Sequence, residues 1–360
     1  MSLKVCFVYQ WATYGGVERV FLNRAHAFEA IGEDVLIDVY YGADGGGLAA
    51  FVRAIQASGL ERRICVVREF DQNRYDVVFV IDSPDMLPAN ISGKARWVVE
   101  CHTPYRTNRA YLDALPRHVV EIAVPSATFA QTLAAERPAF ANRIRVLRNC
   151  VSLSSDEQPP KLPAWRKRPL LYFGRLDELK NPQGFLDLLR ELERHRPGKY
   201  FGAVVGPEVP GYDFNTRVER AGLHGMILRM PPLQFLRTSV FLQAWHQRGG
   251  LMVSPSRGES FGLAAAEAIA AGLPVLLSDL PEHSELMGGD IDHLYDPDDP
   301  VAGADRIEKM VSRYDECSML MKRRAIKFGN EAFSGDWKAL IGDLGFTETR
   351  EEGVTLQGSS

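Results

Sequence analysis

At 360 residues the chain exceeds what one ordinary core supports, so two domains are expected. Apolar residues make up 46% and charged residues 24%, and a net charge of −4 gives no global attraction to nucleic acid or to an anionic membrane. Five scattered cysteines without a C-x-x-C pair argue against a disulfide scaffold or a thiolate zinc site and suit a reducing cytoplasm.

The chain opens without the apolar core of a signal peptide and contains no apolar run of about 18 residues. A cytoplasmic protein is therefore expected, with peripheral contact at the inner face of the membrane left open. In chain order, Leu3–Tyr9, Val35–Tyr40, Ile64–Val67, Val77–Ile81, Trp97–Cys101, Ile122–Val124 and Ile144–Leu147 read as strands. Val17–Ala30 and Ser126–Glu136 read as amphipathic helices between them. Apolar runs without polar alternation belong to strands buried on both faces, hence to a parallel, doubly wound α/β sheet. Residues 1–151 form this first domain, and residues 152–168, rich in Ser, Pro and charge, read as a linker.

The pattern then restarts over residues 169–331. Pro169–Phe173, Tyr200–Val205, Met226–Leu228, Gly250–Ser254 and Pro274–Leu277 are the expected strands. After Gly250–Ser254 comes a turn and an Ala-rich helix reaching Gly272. Asp290–Asp299 lacks the ligand spacing of an EF-hand and reads as a solvated acidic loop. Arg306–Lys327 is a charged helical stretch. Phe333–Leu344, within residues 332–346, is a closing helix, and residues 347–360 read as a disordered tail.

In open α/β sheets ligands bind beyond the carboxyl ends of the strands, which turns strand ends into candidates. In the first unit these are Tyr14-Gly15-Gly16, Asp82-Ser83, His102-Thr103-Pro104 and Pro125-Ser126. In the second they are Gly174-Arg175, Gly206-Pro207, Arg257-Gly258-Glu259 and Ser278-Asp279. Glu259 falls in the loop before the Ala-rich helix and Glu267 about two turns inside it. Between them Phe261, Gly262 and Leu263 would present free backbone N–H groups to an anion, with Ser260 and Gly258 as further donor-binding candidates. Arg175 and Lys180 place a guanidinium and an ammonium on one loop, where both could grip a diphosphate and neutralise a departing one. Gly15 and Gly16 let the backbone approach a phosphate, although the loop is not a G-x-G-x-x-G fingerprint. His102 could donate to a sugar hydroxyl or act through its backbone carbonyl. The ordinary alternatives are solvated surface charges, a tight turn and a structural histidine.

These segments together resemble retaining GT-B glycosyltransferases of family 4, glycosyltransferases group 1. The strongest match is Glu259-x7-Glu267 with its continuation Ala268–Leu277, supported by Gly174-Arg175 with Lys180, Tyr14–Arg19, His102-Thr103-Pro104 and Val124-Pro125-Ser126. The resemblance implies two Rossmann-like domains facing a cleft, with the last helix crossing back to the first domain. It implies that Glu267 holds the ribose hydroxyls and Glu259 those of the donor sugar. Arg175 and Lys180, with backbone at Gly262-Leu263 and Gly15-Gly16, would bind the diphosphate. His102 would face the sugar, and Gly206-Pro207 and Met230-Pro231-Pro232 are candidates for the base pocket. The implied reaction moves a hexose from a nucleotide diphosphate sugar, GDP- or UDP-linked and GDP-mannose among them, to a glycan or lipid-linked hydroxyl. Configuration would be retained, and no metal or other cofactor is expected. A nucleotide-sugar epimerase or hydrolase, or a non-catalytic nucleotide-sugar-binding partner, is the alternative on the same scaffold.

Overall fold

In the computed structural model, which describes residues 2–91, 93–151 and 158–346, the apolar runs assemble into two parallel sheets. The start of the linker, residues 152–157, and the tail, residues 347–360, lie outside the described residues. The first sheet contains β1 (Leu3–Ala12), β2 (Val35–Asp44), β3 (Ile64–Val67), β4 (Val77–Ile81), β5 (Arg96–Glu100), β6 (Val119–Val124) and β7 (Ile144–Val146). Its order is β3-β2-β1-β4-β5-β6-β7, with every pairing parallel. The second contains β8 (Arg168–Phe173), β9 (Tyr200–Val205), β10 (Ile227–Met230), β11 (Leu251–Ser254), β12 (Val275–Ser278) and β13 (Leu294–Tyr295). It is again parallel throughout, in the order β10-β9-β8-β11-β12-β13. Strand order therefore reverses beside β1 in one domain and beside β8 in the other, and each reversal opens a crevice at the strands' carboxyl ends.

One reading of the second domain changes and another is refined. The acidic stretch Asp290–Asp299 is not simply a solvated loop, because Leu294 and Tyr295 are buried and add an edge strand to β12. The charged stretch Arg306–Lys327 is helical as expected, and the structure resolves it into parts of two helices, Pro300–Ser312 and Tyr314–Ala325, separated at Arg313.

Local chemistry accounts for the helices that carry the site. Helix α1 (Gly16–Ile31) starts where the Glu18 carboxylate returns to the Gly15 N–H, and it ends at Gly32 in the left-handed region. Helix α2 (Leu48–Ala57) follows β2, and α3 (Ala127–Glu136) begins at Ser126, whose hydroxyl accepts the Phe129 N–H. Helix α4 (Pro182–His195) is capped by Asn181 with proline at its first position. Helices α5 (Phe214–Arg220), α6 (Thr238–Gln247), α7 (Leu263–Ala270) and α8 (Pro281–Met287) complete the part of the second domain used below.

The closing helix, Asn330–Asp343, lies on the first domain rather than the second. Its Phe333 and Trp337 rings sit 5.3 and 4.8 Å from Phe28 of α1, and Trp337 is 6.0 Å from Phe79 of β4. Arg145 and Arg148 pair with Asp343 and Asp336 on the same helix. A fully buried tryptophan leaves a cavity when truncated, so Trp337→Ala is expected to cost about 3–5 kcal/mol in chemical denaturation.

Candidate functional site

Three loops at the carboxyl ends of β8, β9 and β11 are tied into one unit. Asn181, left-handed at φ 50°, donates its side-chain amide to the Pro255 carbonyl at 3.0 Å, and the Arg257 N–H bonds to Leu179 O at 2.7 Å. The Tyr172 hydroxyl donates to the Arg175 carbonyl at 2.6 Å. Gly206 has φ 142°, and a Cβ there would lie 1.9 Å from the Gly174 carbonyl oxygen, so only glycine lets the two loops meet.

On this frame the Lys180 ammonium sits 2.6 Å from both oxygens of Glu259, and Ser256 Oγ donates to the same carboxylate at 2.8 Å. Burial alone would raise the pKa of Glu259, but Lys180, and after it His283, outweigh burial and hold it below the usual range. Arg175 is half exposed and pairs with Asp177 at 3.0 Å. Gly262, left-handed at φ 87°, opens α7, so the first N–H groups of that helix have no intrahelical partner.

The first domain answers across the gap. Glu18 is fully buried and accepts hydrogen bonds from the Thr13 N–H at 2.6 Å and the Gly15 N–H at 3.2 Å, which fixes the Gly15-Gly16 turn. A Cβ on Gly16 would be 3.8 Å from Leu263 Cδ2, so this turn faces the start of α7 directly. Ser126 Oγ donates to the Ser260 carbonyl at 2.8 Å, and Glu285 of α8 accepts the Ala127 and Thr128 N–H groups that begin α3.

Between the two halves lies a cavity of about 750 Å³. It is lined by Gly15, Gly16, His102, Gly174, Arg175, Lys180, Gly206, Pro207, Glu259, Ser260, Phe261, Gly262 and Leu263, with Pro232 of the candidate base pocket. Gly258 and Glu267 are not part of that lining. Gly258 sits against Leu179, and Glu267 lies behind the surface, where Arg19 of α1 approaches to 3.1 Å. Burial pushes the Glu267 carboxyl up, and Arg19 offsets only part of that.

The Arg19 side chain also lines the cavity and lies over the Phe173 ring; sequence reasoning gave it no role. A larger omission concerns what holds His102. Its Nε2 is 2.8 Å from Glu100 Oε2, and Glu100 in turn takes two hydrogen bonds from Arg24, at 2.7 and 3.0 Å. Its backbone N–H donates to Asp82, which is left-handed at φ 41° and lines the cavity. A signal existed for Glu100. A carboxylate closing the apolar run of β5 must find a partner if it is buried.

Two Rossmann-like parallel-sheet domains with a ligand-sized cavity between their switch points define the GT-B class. Residues 167–313, the greater part of the second domain, match the family model described as glycosyl transferases group 1. A D-inositol 3-phosphate glycosyltransferase of Paenarthrobacter aurescens is 30% identical over 167 residues, covering 44% of this chain and 40% of the relative. LpsB of Rhizobium meliloti, a lipopolysaccharide core biosynthesis mannosyltransferase, is 33% identical over 123 residues, 32% of this chain and 33% of the relative. The chain thus spans well under half the length of these curated relatives. The crystal structure of Anabaena HepE in complex with UDP and glucose has a TM-score of 0.74 at 17% identity, covering 95% of this chain and 100% of that one. At that identity the likeness is one of fold. Among the described residues no cluster of three His, Cys, Asp or Glu side chains is arranged to hold a metal ion, and no helix is long and apolar enough to cross a membrane.

The Arg24–Glu100 pair predicts an acid sensitivity. Burial would raise the Glu100 pKa, but Arg24 and then His102 outweigh it and push it down to about 2 from 4.5. A depressed carboxylate stabilises the fold above its unfolded pKa and loses that contribution as pH falls through the folded value. Stability should therefore decline between about pH 4.5 and about pH 2, and Arg24→Met/Glu100→Leu should lack this component in urea titrations across that window.

Proposed function

We propose that the chain is a metal-independent, retaining glycosyltransferase that moves a hexose from a nucleotide diphosphate sugar to a hydroxyl acceptor. The observation that carries this is the convergence, on one cavity, of the Gly15-Gly16 turn, the open start of α7 and the cations of the β8 loop. Backbone donors from two domains and two cations suit a diphosphate, and a buried carboxylate beside them suits sugar hydroxyls.

Arg175 and Lys180 take the charge of the departing nucleoside diphosphate, the work a divalent cation does elsewhere. Glu259 stays ionised beside Lys180 and accepts from the transferred sugar. Glu267 accepts from the ribose once Arg19 shares it. His102, at the carboxyl end of β5, faces the sugar from the first domain. Attack on the face the leaving phosphate vacates, the route the family resemblance implies, would retain the configuration. UDP and glucose in HepE support a UDP-linked hexose over a GDP-linked one, and the names of the curated relatives support a cyclitol phosphate or an envelope glycolipid as acceptor. A lipid-linked acceptor would bring the protein to the cytoplasmic face of the membrane.

Thermal-shift screening against UDP-, GDP-, ADP- and dTDP-sugars identifies the donor, since a ligand at 100 times its Kd adds about 2.7 kcal/mol. With that donor, Arg175→Ala is expected to lower kcat by about 100-fold or more with less effect on KM, because its charge matters most as the bond breaks. Arg175 is half exposed, so the variant should fold. Glu267→Ala should instead weaken nucleotide binding by about 10- to 100-fold in calorimetry. Turnover by Arg175→Ala at the wild-type rate would sink the leaving-group role. Release of free or epimerised sugar with no transfer to any acceptor would replace the transferase reading.

A further inference from the structure

Arg24 and Glu100 form a deeply buried ion pair, which the His102 ring links to the cavity wall. Their side chains are 0% and 1% exposed, and Arg24 Nε has no hydrogen-bond partner. The guanidinium lies over the Phe7 and Phe333 rings, 5.3 and 5.9 Å from their centroids, inside an otherwise apolar core. Filling such a space with charge rather than hydrocarbon brings little or no stability, because desolvation offsets the attraction. Among the described residues the two side chains have one further polar contact, the His102 ring at the cavity wall.

The chemistry of that contact is directional. An ionised carboxylate can only accept, so the ring nitrogen facing Glu100 must carry the proton. Nε2–H therefore points into the core. Nδ1 has no protein partner among the described residues and is absent from the buried polar atoms that lack one. The neighbouring Asp82 carboxylate takes the His102 backbone N–H at 3.0 and 3.1 Å, so the backbone is held as firmly as the ring.

We infer that Glu100, anchored by Arg24, is a positioning residue that locks the neutral His102 ring in its Nε2–H tautomer and turns Nδ1 to the cavity as a hydrogen-bond acceptor. In that state His102 takes a hydrogen bond from a hydroxyl of the transferred sugar and does not donate one. This inference rests on the reading of His102 as a sugar contact, but the tautomer exists with or without substrate.

The test has two arms. In protein labelled with 15N-histidine, long-range 1H–15N spectra should show His102 with Nε2 protonated and Nδ1 bare, its signals assigned by their loss in His102→Gln. In Arg24→Met/Glu100→Leu the two tautomers should mix. With the donor found by screening, that variant should fold but lose about 10- to 100-fold in kcat, with donor KM changed much less. Arg24→Met/Glu100→Gln, which restores a carbonyl acceptor without the charges, should recover the tautomer and most of kcat. A purely structural pair would shift the melting temperature alone. A proton on Nδ1 in the native protein, or an unaltered kcat in the folded Leu variant, would overturn the inference. Should the wild-type chain turn over no sugar nucleotide at all, the transferase reading fails while the spectra still decide the tautomer.

Discussion

The buried pairing of Lys180 with Glu259 is the interaction on which the second domain's half of the cavity depends. One residue comes from the loop after β8 and the other from the loop after β11, the two strands that flank the switch point. A buried carboxylate without that ammonium would be an uncompensated charge, and the cost of such a charge is several kcal/mol. Each loop thus requires the other to be in place. The backbone ties from Asn181 to Pro255 and from Arg257 to Leu179 act in the same direction, so the pair sits in a frame that does not rely on it alone. Rigid loops keep cations and backbone donors converged before any ligand arrives, which lowers the reorganisation that binding requires.

Much of this was legible in the sequence, for a physical reason. Strands covered on both faces must be apolar at every position, so β1, β4, β9 and β12 announce themselves as short uninterrupted runs. The switch-point rule then converts their last residues into a list, and Gly15, His102, Arg175, Lys180 and Glu259 do meet on one cavity. The reading that changed was one where local composition and burial disagree. Leu294 and Tyr295 are only two residues long as a strand and lie among aspartates, so neither length nor alternation marks them. The division of the last charged helical stretch at Arg313 has no glycine or proline to signal it.

The network behind His102 was hidden differently. Glu100 ends an apolar strand, and Arg24 falls within an amphipathic helix, where a single arginine reads as surface charge. Neither position reveals that Arg24 of α1 reaches Glu100 of β5. Likewise Glu267 is legible as an acid on the Ala-rich helix, but nothing in one sequence says that Arg19 from the other domain stands against it. Pairings across a domain boundary depend on how two cores are set together, and local pattern does not carry that information.

That setting has a consequence for the cavity itself. Each domain supplies part of the lining, so its shape belongs to the interface rather than to either core. The interface is held at two kinds of place. The closing helix buries Phe333 and Trp337 against α1 and β4, a large apolar attachment on the first domain. Near the cavity polar contacts, Ser126 to Ser260, Glu285 to the start of α3 and Arg19 to Glu267, stand beside an apolar one, the Tyr14 ring stacked on Phe235 at 5.4 Å. Apolar burial contributes far more per contact than a hydrogen bond exchanged with water. The closing helix and the Tyr14–Phe235 stack are therefore the stronger attachments, and the hydrogen bonds of Ser126 and Glu285 set the register of the two halves more than they hold them together.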